Sequence, residues 1–199
     1  MIDIRIMAHP SRRENVMKML QALNLSEDVV AWDDRPGKND AMYTARKAWT
    51  APIIDGYTHR LVLQDDGELC DNFLEIAEQV AAKHPREIVS FMHEGEIPGD
   101  GRYRSHVFSV GVALMIPVLL LDDLWWFVDN RLPVVALPNL HEIIKHDTTC
   151  IRYWLRYRHI PCITTVPSLV QHIGDESLVG IDRKRIAPDY TKTPPLCGW

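Results

Sequence analysis

Several signatures of phosphate binding and catalysis are missing from this chain. It contains no GxGxxG and no GxxxxGK(S/T), so the glycine-rich phosphate cradles of dinucleotide-binding and P-loop proteins do not apply. It contains no GxSxG, which removes the strained serine elbow of α/β-hydrolases. The four cysteines, Cys70, Cys150, Cys162 and Cys197, form no CxxC pair. That argues against a zinc site or a disulfide framework and for thiols in a reducing compartment. The longest apolar stretch, 107–121, is interrupted by Ser109 and Pro117 and is too short to span a bilayer. The opening MIDIRI carries charges where a signal peptide has its apolar run, so a soluble cytoplasmic protein is expected. No internal repeat is visible. Basic residues do not dominate: Lys plus Arg is 22 against 27 for Asp plus Glu, a formal net charge of −5. A mildly acidic chain is a poor general binder of polyanions, although a local basic patch stays open.

What is present fits one domain with a substantial core, since 46% of the 199 residues are hydrophobic. Strands and helices alternate. Ile2, Ile4 and Ile6 alternate with Asp3 and Arg5, a pattern that predicts a partly exposed first strand. Ser11 and Glu14 have the spacing of a capping box, ahead of an apolar stripe at Val16, Met19, Leu20 and Leu23. Residues 28–32 read as a second strand, 40–49 as a helix and 61–64 as a strand apolar on both faces. Phe73, Ile76, Ala77 and Val80 mark a helix that ends near His84-Pro85. Strands are expected over 87–91, 107–116 and 163–166, with a helix over 119–128 and irregular chain over 133–138. Asp147 is placed to cap a further helix. The fold class expected is α/β, a mostly parallel sheet flanked by helices, with the main domain over 1–181. A basic, Pro-rich tail over 182–199 is expected to wrap the surface or to be partly disordered.

The strand at 61–64 runs straight into Asp65 and Asp66. Two adjacent carboxylates repel each other and resist burial, a cost that a hard cation relieves. Oxygen ligands suit Mg²⁺ or Mn²⁺. In open α/β sheets ligands bind beyond the carboxyl ends of strands, where this pair is expected to lie. The bland alternative is a solvated turn. Arg12 and Arg13, in the first turn after the first strand, oppose the helix dipole and suit an anionic ligand, or else are solvated surface groups. Arg46 is a third candidate for phosphate contacts. Asp33 and Asp34 follow the second strand, where a carboxylate often contacts a ribose or base. The Gly- and Pro-rich stretch 94–105 lacks apolar periodicity and reads as a lid or a solvated loop. It carries Arg102 and Arg104 as candidate contacts to an anionic acceptor.

The segment Leu61-Val62-Leu63-Gln64-Asp65-Asp66, with Phe73 downstream, resembles the metal-binding strand of nucleotide-sugar glycosyltransferases of the GT-A fold. Pro167-Ser168-Leu169-Val170-Gln171-His172-Ile173-Gly174 resembles their C-terminal segment, whose histidine often completes the metal site. Asp147 matches the place of the family's catalytic acid-pair motif, although His146-Asp147 stands where Glu-Asp is usual. The resemblance covers most of the chain and is similar to compact enzymes of bacterial viruses. It implies a single-domain, Rossmann-related GT-A sheet. It further implies Asp66, His172 and Asp65 on Mn²⁺ or Mg²⁺, and Gln64 with Asp65, Arg12, Arg13, Asp33, Asp34 and Arg46 on the nucleotide-sugar donor. Asp147 is then the base that activates a hydroxyl acceptor, on a modified DNA base or a glycan, in a bacterial host if phage-encoded. The competing readings are a nucleotidyltransferase and a catalytically degenerate GT-A fold used in binding or assembly.

Overall fold

The computed structural model describes residues 1–35, 41–95, 103–106 (backbone only), 111–135, 146–173 and 186–199. Nine strands and six α-helical segments are defined among them. The strands are β1 (Ile2–Ala8), β2 (Val30–Trp32), β3 (His59–Gln64), β4 (Gly67–Leu69), β5 (Ile88–Ser90), β6 (Tyr103–His106), β7 (Ala113–Pro117), β8 (Cys162–Thr165) and β9 (Val170–His172). The helices are α1 (Arg13–Leu23), α2 (Ala41–Trp49), α3 (Phe73–Lys83), α4 (Leu121–Trp126), α5 (Leu132–Val135) and α6 (Asp147–Arg158). Seven strands form one sheet in the order β2-β1-β3-β7-β5-β8-β6, and β4 pairs with β9 in a separate two-stranded sheet. β1, β2 and β3 run parallel, β7 runs against both β3 and β5, β8 follows β5, and β6 runs against β8. The sheet is therefore mostly parallel, with β7 and β6 reversed.

Helices cover both faces. On one face Ile2, Ile4, Ile6, Leu61 and Leu63 pack against the stripe Val16, Met19, Leu20 and Leu23 of α1 and against Phe73, Ile76, Ala77 and Val80 of α3. On the other, Met7, Val62, Leu114 and Ile116 meet α2, α4 and α6 through Ala45, Trp49, Leu124, Ile151 and Trp154. The period-2 alternation along β1 and β3 sorts side chains between these layers. Each fully buried leucine or isoleucine contributes about 1.5–3 kcal/mol of transfer free energy.

β1 is not partly exposed. It lies between β2 and β3, only Arg5 keeps partial exposure, and the other polar position, Asp3, is paired internally. Asp3 pairs in register with Arg60, which is fully buried and donates to Asp3 through Nε (2.8 Å) and Nη2. Arg60 Nη1 also donates to the Trp49 carbonyl at 2.6 Å. A charge on a strand mimics a solvent-facing position when its partner lies on a neighbouring strand.

Other boundaries also differ. Ser11 does not cap α1: a 3-10 turn over Pro10–Arg12 intervenes, its cap is the His9 ring, and Glu14 pairs with Lys18 instead. The helix expected over 119–128 continues to Val135 through a π turn at Phe127–Arg131. Pro133 would clash with the carbonyl four residues back in a regular helix, and the wider turn just before it relaxes that conflict. Of the chain expected to be irregular, 133–135 is thus helical and 136–138 lies outside the described residues. Part of the expected 94–105 loop is strand β6, because its backbone completes the edge of β8. Arg104 sits in β6 opposite Thr164, while Arg102 lies outside the described residues.

Residues 186–199 pack on the body. Ala187 and Trp199 are buried beside α3, and Lys192 Nζ donates to the Leu69 carbonyl at 2.8 Å. Apolar groups at the tail's two ends, rather than its Pro content, decide this placement.

Candidate functional site

From β1 the chain passes to β2 on one side and then crosses back to β3 on the other. The carboxyl ends of β1 and β3 therefore flank a topological switch point, the usual position of a ligand crevice in open α/β sheets. Asp65 continues the ladder there: its N–H donates to the Met7 carbonyl at 3.1 Å. Its Oδ2 accepts the His9 N–H at 2.6 Å. The Asn15 side chain donates to the Asp65 carbonyl and so braces the turn from the first helix.

Asp66 meets a different set of groups. β4 begins immediately after it and pairs antiparallel with β9, placing Gly67 opposite His172. A Cβ on Gly67 would lie 3.2 Å from Val112 and Val170 side-chain carbons, so the close approach favours glycine. The Ile173 N–H closes the pairing onto the Asp66 carbonyl at 2.8 Å. As a result His172 Nε2 stands 3.2 Å from Asp66 Oδ2. The two quoted motif segments, remote in sequence, thus become one cluster.

Arg12 completes it. Its Nη1 lies 2.8 Å from Asp65 Oδ1 and 2.8 Å from Asp66 Oδ2. Burial pushes the Asp65 carboxyl up, against the His9 amide and Arg12. Burial acts to raise Asp66 too, but His172 and Arg12 together outweigh it and hold that carboxyl below its ordinary value. Asp66 Oδ1 and His172 Nδ1 are buried with no hydrogen-bond partner among the described residues. Orphaned buried acceptors of this kind are uncommon and call for an explanation such as a bound ion or water. Among the described residues no three His, Cys, Asp or Glu side chains gather as a metal site.

The remaining candidates lie at varied distances from this cluster. Gln64 ends β3, and its N–H donates to the Val112 carbonyl at 2.8 Å. Asp33 is buried beyond β2: its N–H donates to the Ala8 carbonyl at 2.9 Å, and its carboxylate pairs with Arg35 at 3.3 Å. Asp34 is turned toward α2, accepting from the Tyr43 hydroxyl (2.7 Å) and Lys47 (3.1 Å). Arg35 stacks 3.7 Å over the Tyr43 ring. Arg13 is half-exposed, paired with Glu27 at 2.6 Å and placed over Trp32. Arg46 pairs with Asp129 at 2.5 Å and lies over Trp125, on the α4 side. Neither Arg13 nor Arg46 contacts the Asp65–Asp66 pair.

Asp147 is the first residue of α6, one position beyond the N-cap His146. Its Oδ1 accepts the Thr148 N–H at 2.7 Å, and its Oδ2 accepts the Trp49 indole N–H at 3.2 Å. Burial pushes the Asp147 carboxyl up, against those two donors. The start of α6 meets the end of β3 at Gly111: a Cβ there would collide with the Thr148 hydroxyl and come 3.6 Å from Gln64 Nε2. Gly111→Ala is therefore expected to displace the first turn of α6 at a cost of about 1–3 kcal/mol. Urea unfolding checks the magnitude, and a wild-type midpoint would show that the contact yields freely.

Sequence reading did not find the pair His93 and Asp189. His93 is buried just beyond β5 and its Nε2 lies 3.0 Å from Asp189 Oδ2, while Asp189 Oδ1 accepts the Ser168 N–H at 3.2 Å. Gln171, next to His172, is similarly tied to Ala187 by bonds of 2.9 and 3.3 Å. The chain end thus braces β9 on the side away from Asp66. Position after a strand was the one available sign for His93; a carboxylate in a Pro-rich tail gave none for Asp189. No family model matches the chain, and no curated protein matches it. No helix among the described residues is long and apolar enough to cross a membrane.

Proposed function

We propose that this protein is a metal-dependent glycosyltransferase that moves a sugar from a nucleotide-sugar donor to a hydroxyl acceptor. The observation that carries the reading is the contact of Asp66 with His172 at the switch point, with Asp66 Oδ1 buried and unpartnered. A carboxylate donor suits Mn²⁺ or Mg²⁺, and an imidazole beside it favours Mn²⁺ of the two, because Mg²⁺ prefers oxygen ligands throughout. Two protein donors are too few for a standing ion but fit one shared with phosphates and water, as Mg²⁺ usually is. Asp66 and His172 would hold the ion, with Asp65 beside them. Bound there, it would neutralise charge growing on a diphosphate leaving group.

The chain's own groups divide the remaining work. Arg12 supplies a positive charge at the same edge for the phosphates. Asp33, beyond β2, would accept hydrogen bonds from ribose or base, and Gln64, whose side-chain nitrogen lies near Gly111, would add a donor contact. Asp147 takes the proton of the acceptor hydroxyl. A carboxyl raised by burial is a stronger base once ionised, which suits that role.

The test is a panel of nucleotide sugars incubated with the protein and Mn²⁺. Release of free nucleotide from one donor, lost in Asp66→Ala, is the expected result. Failure of every nucleotide to bind would overturn the reading in favour of a binding or assembly protein, and pyrophosphate release from a nucleoside triphosphate would favour nucleotidyl transfer. Asp147→Asn is expected to lower kcat on the order of 100-fold while donor Kd stays unchanged. The acid limb of kcat, set by a carboxyl above its ordinary range, should disappear with it. An asparagine can accept from Trp49 or Thr148 but not both, so a loss of about 1–3 kcal/mol in stability should accompany it. Full activity in Asp147→Asn would show that the carboxylate only holds Trp49 and the helix start.

A further inference from the structure

Arg12 uses one nitrogen, Nη1, to reach both aspartates, at 2.8 Å each. The Asp66 oxygen it takes, Oδ2, is also the one 3.2 Å from His172 Nε2. An ion held jointly by Asp66 and His172 therefore meets a guanidinium already on the shared edge. The arginine is set there by its own turn, not by chance of side-chain reach. The Arg12 N–H donates to the His9 carbonyl at 3.0 Å, and the His9 ring caps the same turn through the Ser11 N–H. The His9 N–H is in turn fixed to Asp65. Backbone and side chain of this turn thus converge on one carboxylate pair.

We propose that Arg12 is an internal counter-ion that competes with the divalent cation for Asp65 and Asp66, so that the ion is held firmly only together with a diphosphate. The inference rests on the donor-site reading given above. Like charges at such range repel strongly in a partly desolvated site. A divalent ion entering alone must share Asp66 with Arg12 or displace it from a buried pair. A diphosphate entering alone meets two carboxylates and one guanidinium, a net negative surface. Entering together, the anion attracts both cations and gives Arg12 a second place to bind. Metal and nucleotide then bind cooperatively, and the coupling must be reciprocal.

The experiment measures free Mn²⁺ by electron paramagnetic resonance against the full chain, with and without UDP or GDP. Wild type, Arg12→Met and Arg12→Lys are compared, with thermal melts to confirm that each is folded. Without nucleotide, Arg12→Met should bind Mn²⁺ roughly tenfold tighter than wild type, a typical coupling magnitude. Arg12→Lys keeps the charge and should stay near wild type. With nucleotide, the Mn²⁺ affinity of wild type should rise far more than that of Arg12→Met. Equal Mn²⁺ affinity of wild type and Arg12→Met without nucleotide would overturn the proposal. So would wild type that binds Mn²⁺ equally well with and without a nucleotide it is shown to bind. If no variant binds UDP, GDP or the diphosphates of the remaining bases, the donor-site reading fails, and the nucleotide-free comparison alone then supports or overturns the competition.

Discussion

Asp66→Ala and His172→Ala are each expected to lower sugar transfer on the order of 100-fold or more, the scale for losing a preorganised electrostatic contact. Both remove a donor from one shared position, since Asp66 Oδ2 and His172 Nε2 are 3.2 Å apart. Their effects should therefore be strongly non-additive, with the double variant little worse than either single one. The fold should survive, because β4 and β9 are paired through backbone groups that neither substitution touches. Initial transfer rates and titration calorimetry of nucleotide with Mn²⁺ check this. A His172→Ala variant that binds donor with wild-type affinity and turns over normally would reduce His172 to a packing residue beside Asp66.

The second large effect concerns stability. Asp3→Ala is expected to cost about 3–5 kcal/mol, the usual penalty for leaving one partner of a buried ion pair uncompensated. That is a large fraction of the roughly 5–15 kcal/mol that holds a typical domain together. Arg60 cannot turn to water: it is fully buried, and the Trp49 carbonyl at 2.6 Å is a neutral acceptor. Replacing both members by apolar groups, Asp3→Leu with Arg60→Met, should restore part of the loss: the fully buried charge is gone, and the part-exposed Arg5, 3.1 Å from Asp3, is the one cation that loses an ion-pair partner. Urea midpoints of the single and double variants decide it. A single variant within about 1 kcal/mol of wild type would mean that water reaches Arg60. The pair also touches the site at one remove, because the Trp49 residue that Arg60 holds donates its indole N–H to Asp147.

Much of this architecture was legible in the chain. Helical spacing located α1, α3 and the start of α4, and short apolar runs located β1, β2, β3, β5 and β8, because burial on one or both faces writes its period into the sequence, whereas β4, β6 and β9 carry no such run. The turn Asp65-Asp66 stood out as a candidate because adjacent carboxylates follow a strand apolar on both faces, although a solvated turn explains such a pair as well; that both carboxylates are in fact mostly buried was not legible. The exposure of β1 was misread for the complementary reason. Asp3 and Arg60 each look like surface residues alone, and only strand register makes them partners.

The residues alone determined an α/β domain, the order of its main strands and helices, and the chemistry that its acidic turn could support. Only the tertiary structure decided that Arg12 lies on both aspartates, that His172 faces Asp66, and that Asp147 is held by Trp49 across a separation of 98 residues. It also decided that His93 and the tail's Asp189 meet, and that Arg13 and Arg46 turn elsewhere. Local patterns are imposed by the period of burial, which neighbouring residues share. Charge pairing depends on which segments the sheet brings side by side, and that is fixed by strand order and register rather than by sequence spacing.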